Sequence, residues 1–185
     1  MVSLTALWLP IVLSAVIVFV ASSIMHTVLK YHNSDLRKLP DEEKILAAMR
    51  PSNLQPGLYV FPHCNHKEMK SPAMMEKFAQ GPVGMLTVRP NGPPHMPKFL
   101  GQWFVFCLVI SFFVAYITGR TVPPGTQYLH VFRVAGTVGF LAYGLGHISD
   151  GIWKGEPWLS VIKEVIDGLI YGLLTAGTFG WLWPR

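Results

Sequence analysis

Charge is scarce in this sequence. Asp, Glu, Lys and Arg make up 14% of 185 residues, where a soluble domain usually carries about a quarter. That shortage excludes an ordinary water-facing surface. Cysteine is sparse too, with Cys64 in a polar stretch and Cys107 inside an apolar block. A bridge would have to join a residue outside a bilayer to one within it, so no disulfide framework is expected. Familiar catalytic signatures are missing. There is no nucleophile elbow, phosphate loop, metalloprotease helix or dinucleotide fingerprint, and the reading leans away from an enzyme. No internal repeat or low-complexity tract is present. No Lys or Arg precedes the first apolar run, which predicts an uncleaved anchor rather than a signal peptide.

What is abundant is apolar: hydrophobic residues make up 51% of the chain. They gather into four blocks, at Leu4–Leu29, Phe99–Thr118, Tyr128–Ile148 and Leu159–Trp183. A helix needs about 20 such residues to cross a bilayer core. The expected fold is an all-α polytopic membrane protein: a four-transmembrane-helix bundle with a small cytoplasmic α+β insert. The divisions fall at 1–32 (first transmembrane helix), 33–98 (insert) and 99–185 (helices two to four). Pro10 lies in the first turns of its block, where it kinks a helix without ending it.

The net charge is +5. Ten of the fifteen Lys and Arg lie between Lys30 and Lys98, next to predicted membrane helices. That placement suits anionic lipid headgroups and topology-setting charge rather than nucleic acid. Basic residues cluster on the loop between blocks one and two, with Lys154 and Lys163 near the start of block four. The positive side is cytoplasmic by rule. Both ends of the chain are therefore expected outside and residues 33–98 inside.

The insert is patterned. "LPDEEKILAAMR" carries Pro40 and three acids at its start and Arg50 at its end, as helix-end chemistry requires. "GLYVFPH" and "PVGMLTVRP" read as strands. Between them, "SPAMMEKFAQG" offers Ser71 as N-cap, Pro72 as first helical residue and Gly81 as stop. Two strands are marginal alone, so the unit is expected to rest on a membrane surface or a partner.

Three constellations are candidate chemistry. In "PHCNH", His63, Cys64 and His66 are soft-metal ligands, with Met69, Met74 and Met75 following as thioether donors suited to Cu(I). The second ligand pair of a structural zinc site is missing, and a polar turn at a strand end is the preferred reading of these residues. In block three, helical spacing places His130, Arg133, Thr137, Tyr143, His147 and Asp150 on one side and aliphatic residues on the other. In block four, Glu164, Asp167, Tyr171, Thr175 and Thr178 form a matching stripe. A short connection makes the two helices antiparallel neighbours. Asp167 is then expected near Tyr143 and His147, with Arg133 toward the other end and His26 at a similar level. Beside the stripe, Gly168, Gly172, Ala176 and Gly180 form a small-residue ridge that lets helices approach closely.

Three functions can use this arrangement. The leading expectation is an accessory or scaffolding subunit that self-associates or joins a larger membrane complex. The alternative is a small proton- or ion-coupled transporter or channel, since intramembrane ionisable groups mark ion paths. The third is a metal- or haem-binding redox protein, with His26 and His147 as axial ligands. No cofactor is required by the first two; copper or haem belongs to the third. The expected partners are the lipid bilayer and a second copy or another membrane protein.

Overall fold

The computed structural model describes all 185 residues. It is mostly helical, with one small sheet. The chain divides into two compact units: Met1–Leu36 with His95–Arg185, and Arg37–Pro94. The insert therefore begins four residues later and ends four residues earlier than the expected 33–98.

The first unit is built from α1 (Trp8–Thr27), α4 (Met96–Thr121), α5 (Tyr128–Tyr143), α6 (Ile148–Trp153) and α7 (Trp158–Trp181). Three segments are long and apolar enough to cross a membrane: Leu4–Thr27, Met96–Thr121 and Tyr128–Trp153. The fourth expected span, α7, has 24 residues. It differs from the other three in carrying three charged residues, Lys163, Glu164 and Asp167, within its apolar stretch.

The four long helices close into a ring in which α1 touches α4 and α7, and α5 touches α4 and α7. The ring is apolar outside, and inside it mixes apolar side chains such as Val18, Val114 and Phe179 with polar ones. Ser14, Ser111, Thr118, Asp167 and Thr175 are buried, whereas Trp8, Val12, Val16, Val20 and Ile24 line the exposed face of α1 at every fourth position. Lipid offers no hydrophobic drive for helices to associate, so small side chains and hydrogen bonds must hold them. Ser14 Oγ donates to Ser111 Oγ at 3.0 Å, joining α1 to α4. Trp103 Nε1 donates to Ser22 Oγ at 2.8 Å, joining the same pair. Other hydroxyls turn back on their own helix: Thr175 donates to the Tyr171 carbonyl at 2.8 Å, as buried Thr does where no water is present.

The α5–α7 seam is the most extensive, and glycine makes it possible. A Cβ on Gly168 would collide with the backbone of Tyr143 and Gly144, and one on Gly172 would lie 2.8 Å from Phe140 N. Ala176 packs against Gly136, and Gly180 lies under the Tyr128 ring. The ridge thus faces α5 within the same chain. Past Tyr143 the helix does not run on straight: a 3-10 turn at Leu145–His147 leads into α6.

The second unit holds α2 (Glu42–Met49), β1 (Gly57–Phe61), α3 (Pro72–Gln80) and β2 (Gly84–Val88). The strands pair antiparallel, Gly57 opposite Val88 and Phe61 opposite Gly84. Ser71 caps α3, its Oγ accepting from Met74 N at 3.3 Å. Gly81 ends α3 at φ +60°, a conformation open to glycine at little cost.

Candidate functional site

The site begins where α1 stops. Lys30 takes a left-handed conformation at φ +52°, which costs a non-glycine residue about 1 kcal/mol or more. It turns the chain back, so that a 3-10 turn at Tyr31–Ser34 lies against the first half of α7. Lys163 of α7 fastens that turn. Its Nζ donates to the Tyr31 carbonyl at 2.8 Å, Ser34 Oγ at 2.7 Å and Asp35 Oδ1 at 2.6 Å. Ser160 Oγ adds a bond to Asp35 Oδ1 at 3.1 Å. Burial alone would raise the Asp35 pKa, but hydrogen bonds from Lys163, His32 and Ser160 outweigh it and hold the carboxyl below its ordinary range.

Asp167 lies one turn deeper and is 1% exposed. Tyr31 OH donates to its Oδ1. His32 Nε2 lies 3.0 Å from its Oδ2. Tyr171 OH, one turn along α7, reaches Oδ2 at 3.5 Å, the long limit for such a bond. The far nitrogen of His32, Nδ1, lies 2.7 Å from Asp35 Oδ2. A continuous polar line therefore runs from Asp35, through the His32 ring, to the buried Asp167. His26, on the last turn of α1, stacks on His32 with ring centroids 4.5 Å apart and planes 10° apart. Its Nδ1 lies 3.0 Å from the Ser22 carbonyl. Ligand atoms of His26, His32 and Asp167 all lie within 4.8 Å of one another.

Two recesses meet at this cluster. One, about 330 Å³, is lined by Ser22, His26, Leu100, Trp103, Tyr143, His147, Glu164 and Tyr171. The other, about 430 Å³, is lined by His26, His32, Asp35, Glu156, Ser160 and Glu164. His26 and Glu164 belong to both, and Tyr171 connects the first to Asp167.

The expected residues are only partly gathered here. Asp167 and Tyr171 are at the centre. Tyr143 and His147 line the aromatic recess, but the partners of Asp167 are Tyr31 and His32 rather than His147. The reason is local: α5 breaks after Tyr143, while the turn after α1 folds back onto α7. The polar stripe is not the face of α5 that packs. The buried face of α5 is Val131, Ala135, Gly139 and Tyr143, which leaves Arg133 exposed. Asp150 instead pairs with Lys154 at 2.7 Å, and that hydrogen bond, with the carboxylate's charge, raises the Lys154 pKa. In the second unit, His63 and His66 are exposed and Cys64 half-buried, and the three do not converge as His26, His32 and Asp167 do.

Sequence reasoning missed Tyr31, His32, Asp35 and the role of Lys163. One signal was available: "YHNSD" follows an apolar helix directly, and its Tyr, His and Asp are all able to reach back to a buried acid. Nothing in its spacing says which helix it meets. Comparison with family models, curated proteins and solved structures finds no match. The argument for function therefore rests on the site itself.

Proposed function

We propose that this is a four-span membrane protein, with α7 as the fourth span, that takes up and translocates a cation at Asp167. Basic residues around the insert orient the Asp35 end toward the cytoplasm. Ions enter from there along the recess that Asp35, Ser160 and Glu164 line, and the recess beside Trp103, Tyr143 and Tyr171 continues the path toward mid-membrane. The observation that carries this reading is the line from Asp35 through His32 to a carboxylate with 1% exposure. A buried acid in a membrane helix is costly, and its common use is as an ion or proton station.

The assembly reading draws on the small-residue ridge, the polar stripe and the absence of a catalytic signature. That ridge is occupied by α5 of the same chain, so the ridge offers no free face to a partner and the ion reading has the stronger support.

The test is flux in proteoliposomes loaded in turn with proton, Na⁺, K⁺ and Zn²⁺ gradients. Wild-type protein is expected to collapse at least one gradient. Asp167→Asn and His32→Ala are expected to abolish that flux while eluting as the same species in detergent. Wild-type vesicles as tight as empty ones to all four ions would sink the proposal.

A further inference from the structure

The proton arrangement at His32 poses a problem whose solution identifies the cation. His26 Nδ1 faces only a carbonyl oxygen, that of Ser22 at 3.0 Å, so its Nδ1 carries the hydrogen and its Nε2 offers a lone pair. His32 Nδ1 faces the Asp35 carboxylate at 2.7 Å, which assigns its hydrogen to Nδ1 in the same way. His32 Nε2 then turns a lone pair toward the Asp167 carboxylate at 3.0 Å. Two acceptors at that distance need a proton or a metal ion between them. Asp35, Glu164 and Asp167 are three carboxyl groups around His32, and Lys163 on Asp35 is the one ammonium, an arrangement that favours a cation.

We propose that His26 Nε2, His32 Nε2 and an Asp167 carboxylate oxygen bind a divalent first-row transition metal ion of the zinc class. The inference rests on the cation reading above only for its location. Three features carry it. The first is the donor set, two imidazoles and one carboxylate, which suits zinc and its neighbours and not Ca²⁺ or Mg²⁺, which prefer all-oxygen sites. The second is the support behind His32, whose ring is oriented by a carboxylate itself held by Lys163 and Ser160. Metal-binding histidines characteristically hand their other N–H to such acceptors. The third is distance. Zinc–ligand bonds of about 2.0–2.2 Å set tetrahedral ligands about 3.4 Å apart. His32 and Asp167 already stand at 3.0 Å. All three lie within 4.8 Å of one another. His26 stacks on His32, and a metal lies in the plane of each ring that binds it, so binding requires the exposed His26 ring to turn out of the stack. Three protein ligands leave a position for water or a transported solute.

The experiment uses the full chain, purified in detergent with any affinity tag removed, stripped with chelator and dialysed against Zn²⁺ or Co²⁺. Elemental analysis is expected to give one zinc per chain, and the cobalt form a visible absorption band of a low-coordinate ion. His32→Ala and Asp167→Asn are expected to lose the metal. Asp35→Asn is expected to weaken binding by about ten- to a hundredfold. His63→Ala with His66→Ala is expected to keep one zinc per chain. Should the buried variants fail to fold, His26→Gln decides, because that exposed side chain bonds only to its own helix. Wild-type protein without bound zinc, His26→Gln binding as tightly as wild type, or loss of the metal in the His63, His66 variant would each overturn the proposal. Binding without flux in vesicles would leave the metal site standing and remove the transport reading. Flux without binding would do the reverse.

Discussion

The two seams of α7 are built on opposite principles. Against α5 it presents Gly168, Gly172, Ala176 and Gly180, and at Gly168 and Gly172 backbone meets backbone with no room for a methyl group. Against the turn that follows α1 it presents Lys163 and Asp167, and long polar side chains reach across a wider gap. The first seam is tightly closed at Gly168 and Gly172. The second is joined by polar contacts and flanked by two recesses. A helix in lipid would gain nothing from hydrophobic contact with its neighbour, and close packing and hydrogen bonding would be the two remaining ways to fix it. Here one helix uses each on a different side.

Substitutions can break this comparison one seam at a time. The largest effect is expected at Gly168→Ala. The new Cβ would press into the backbone of Tyr143 and Gly144, which cannot move aside as a side chain can. A loss of about 3 kcal/mol or more is expected, the upper range for overpacking, read as a large drop in thermal midpoint in detergent. A midpoint unchanged from wild type would mean the seam is looser than described. Next is Asp167→Leu, which leaves Tyr31 OH and the His32 ring facing an apolar group. An unmade buried hydrogen bond costs about 1–3 kcal/mol, and the test is the same midpoint together with proteolysis at the turn after α1. Lys163→Met releases three acceptors at once. Since the charge is half-buried, a smaller loss of about 1.5–3 kcal/mol is expected, with the cut confined to Val28–Leu36; uniform destabilisation of the bundle would count against a local clasp. Gly180→Ala meets only the Tyr128 ring, at 2.7 Å. An aromatic side chain at a helix start can turn away, and a loss of about 1 kcal/mol is expected. Last, Gly101→Ala on α4 meets nothing within 4 Å. It is expected to stabilise by up to about 1 kcal/mol, the helix preference of Ala over Gly. The same change at positions 168 and 101 thus carries opposite signs, and finding the same sign at both would undo the comparison.

Much of the architecture was open to reading in the chain. Apolar block length marked three spans outright, and the fourth was visible as an apolar block carrying Lys163, Glu164 and Asp167. Ser71, Pro72 and Gly81 bounded α3 because capping is chemistry between near neighbours. The buried partners of Asp167 were not open in the same way. Tyr31 and His32 stand 136 and 135 residues away from it, and their approach depends on one left-handed residue, Lys30, that no pattern announces. Arg133 was placed on the buried side with Thr137 as part of a polar stripe, whereas the face of α5 that packs is the small and aliphatic one of Val131, Ala135 and Gly139.

The sequence by itself determined that this chain has long apolar helices, a small polar insert, and an acid on its last helix. Those are properties of composition and of periodicity over a few turns, where each residue answers to its own neighbours. The tertiary structure alone decided what the acid meets. A carboxylate in a low-dielectric interior takes whatever donors the fold brings within about 3 Å, and that choice rests on a chain reversal and a helix break far apart in sequence. The ridge shows the same division. Its spacing said that some helix would pack closely there, and only the fold showed that the helix belongs to the same chain.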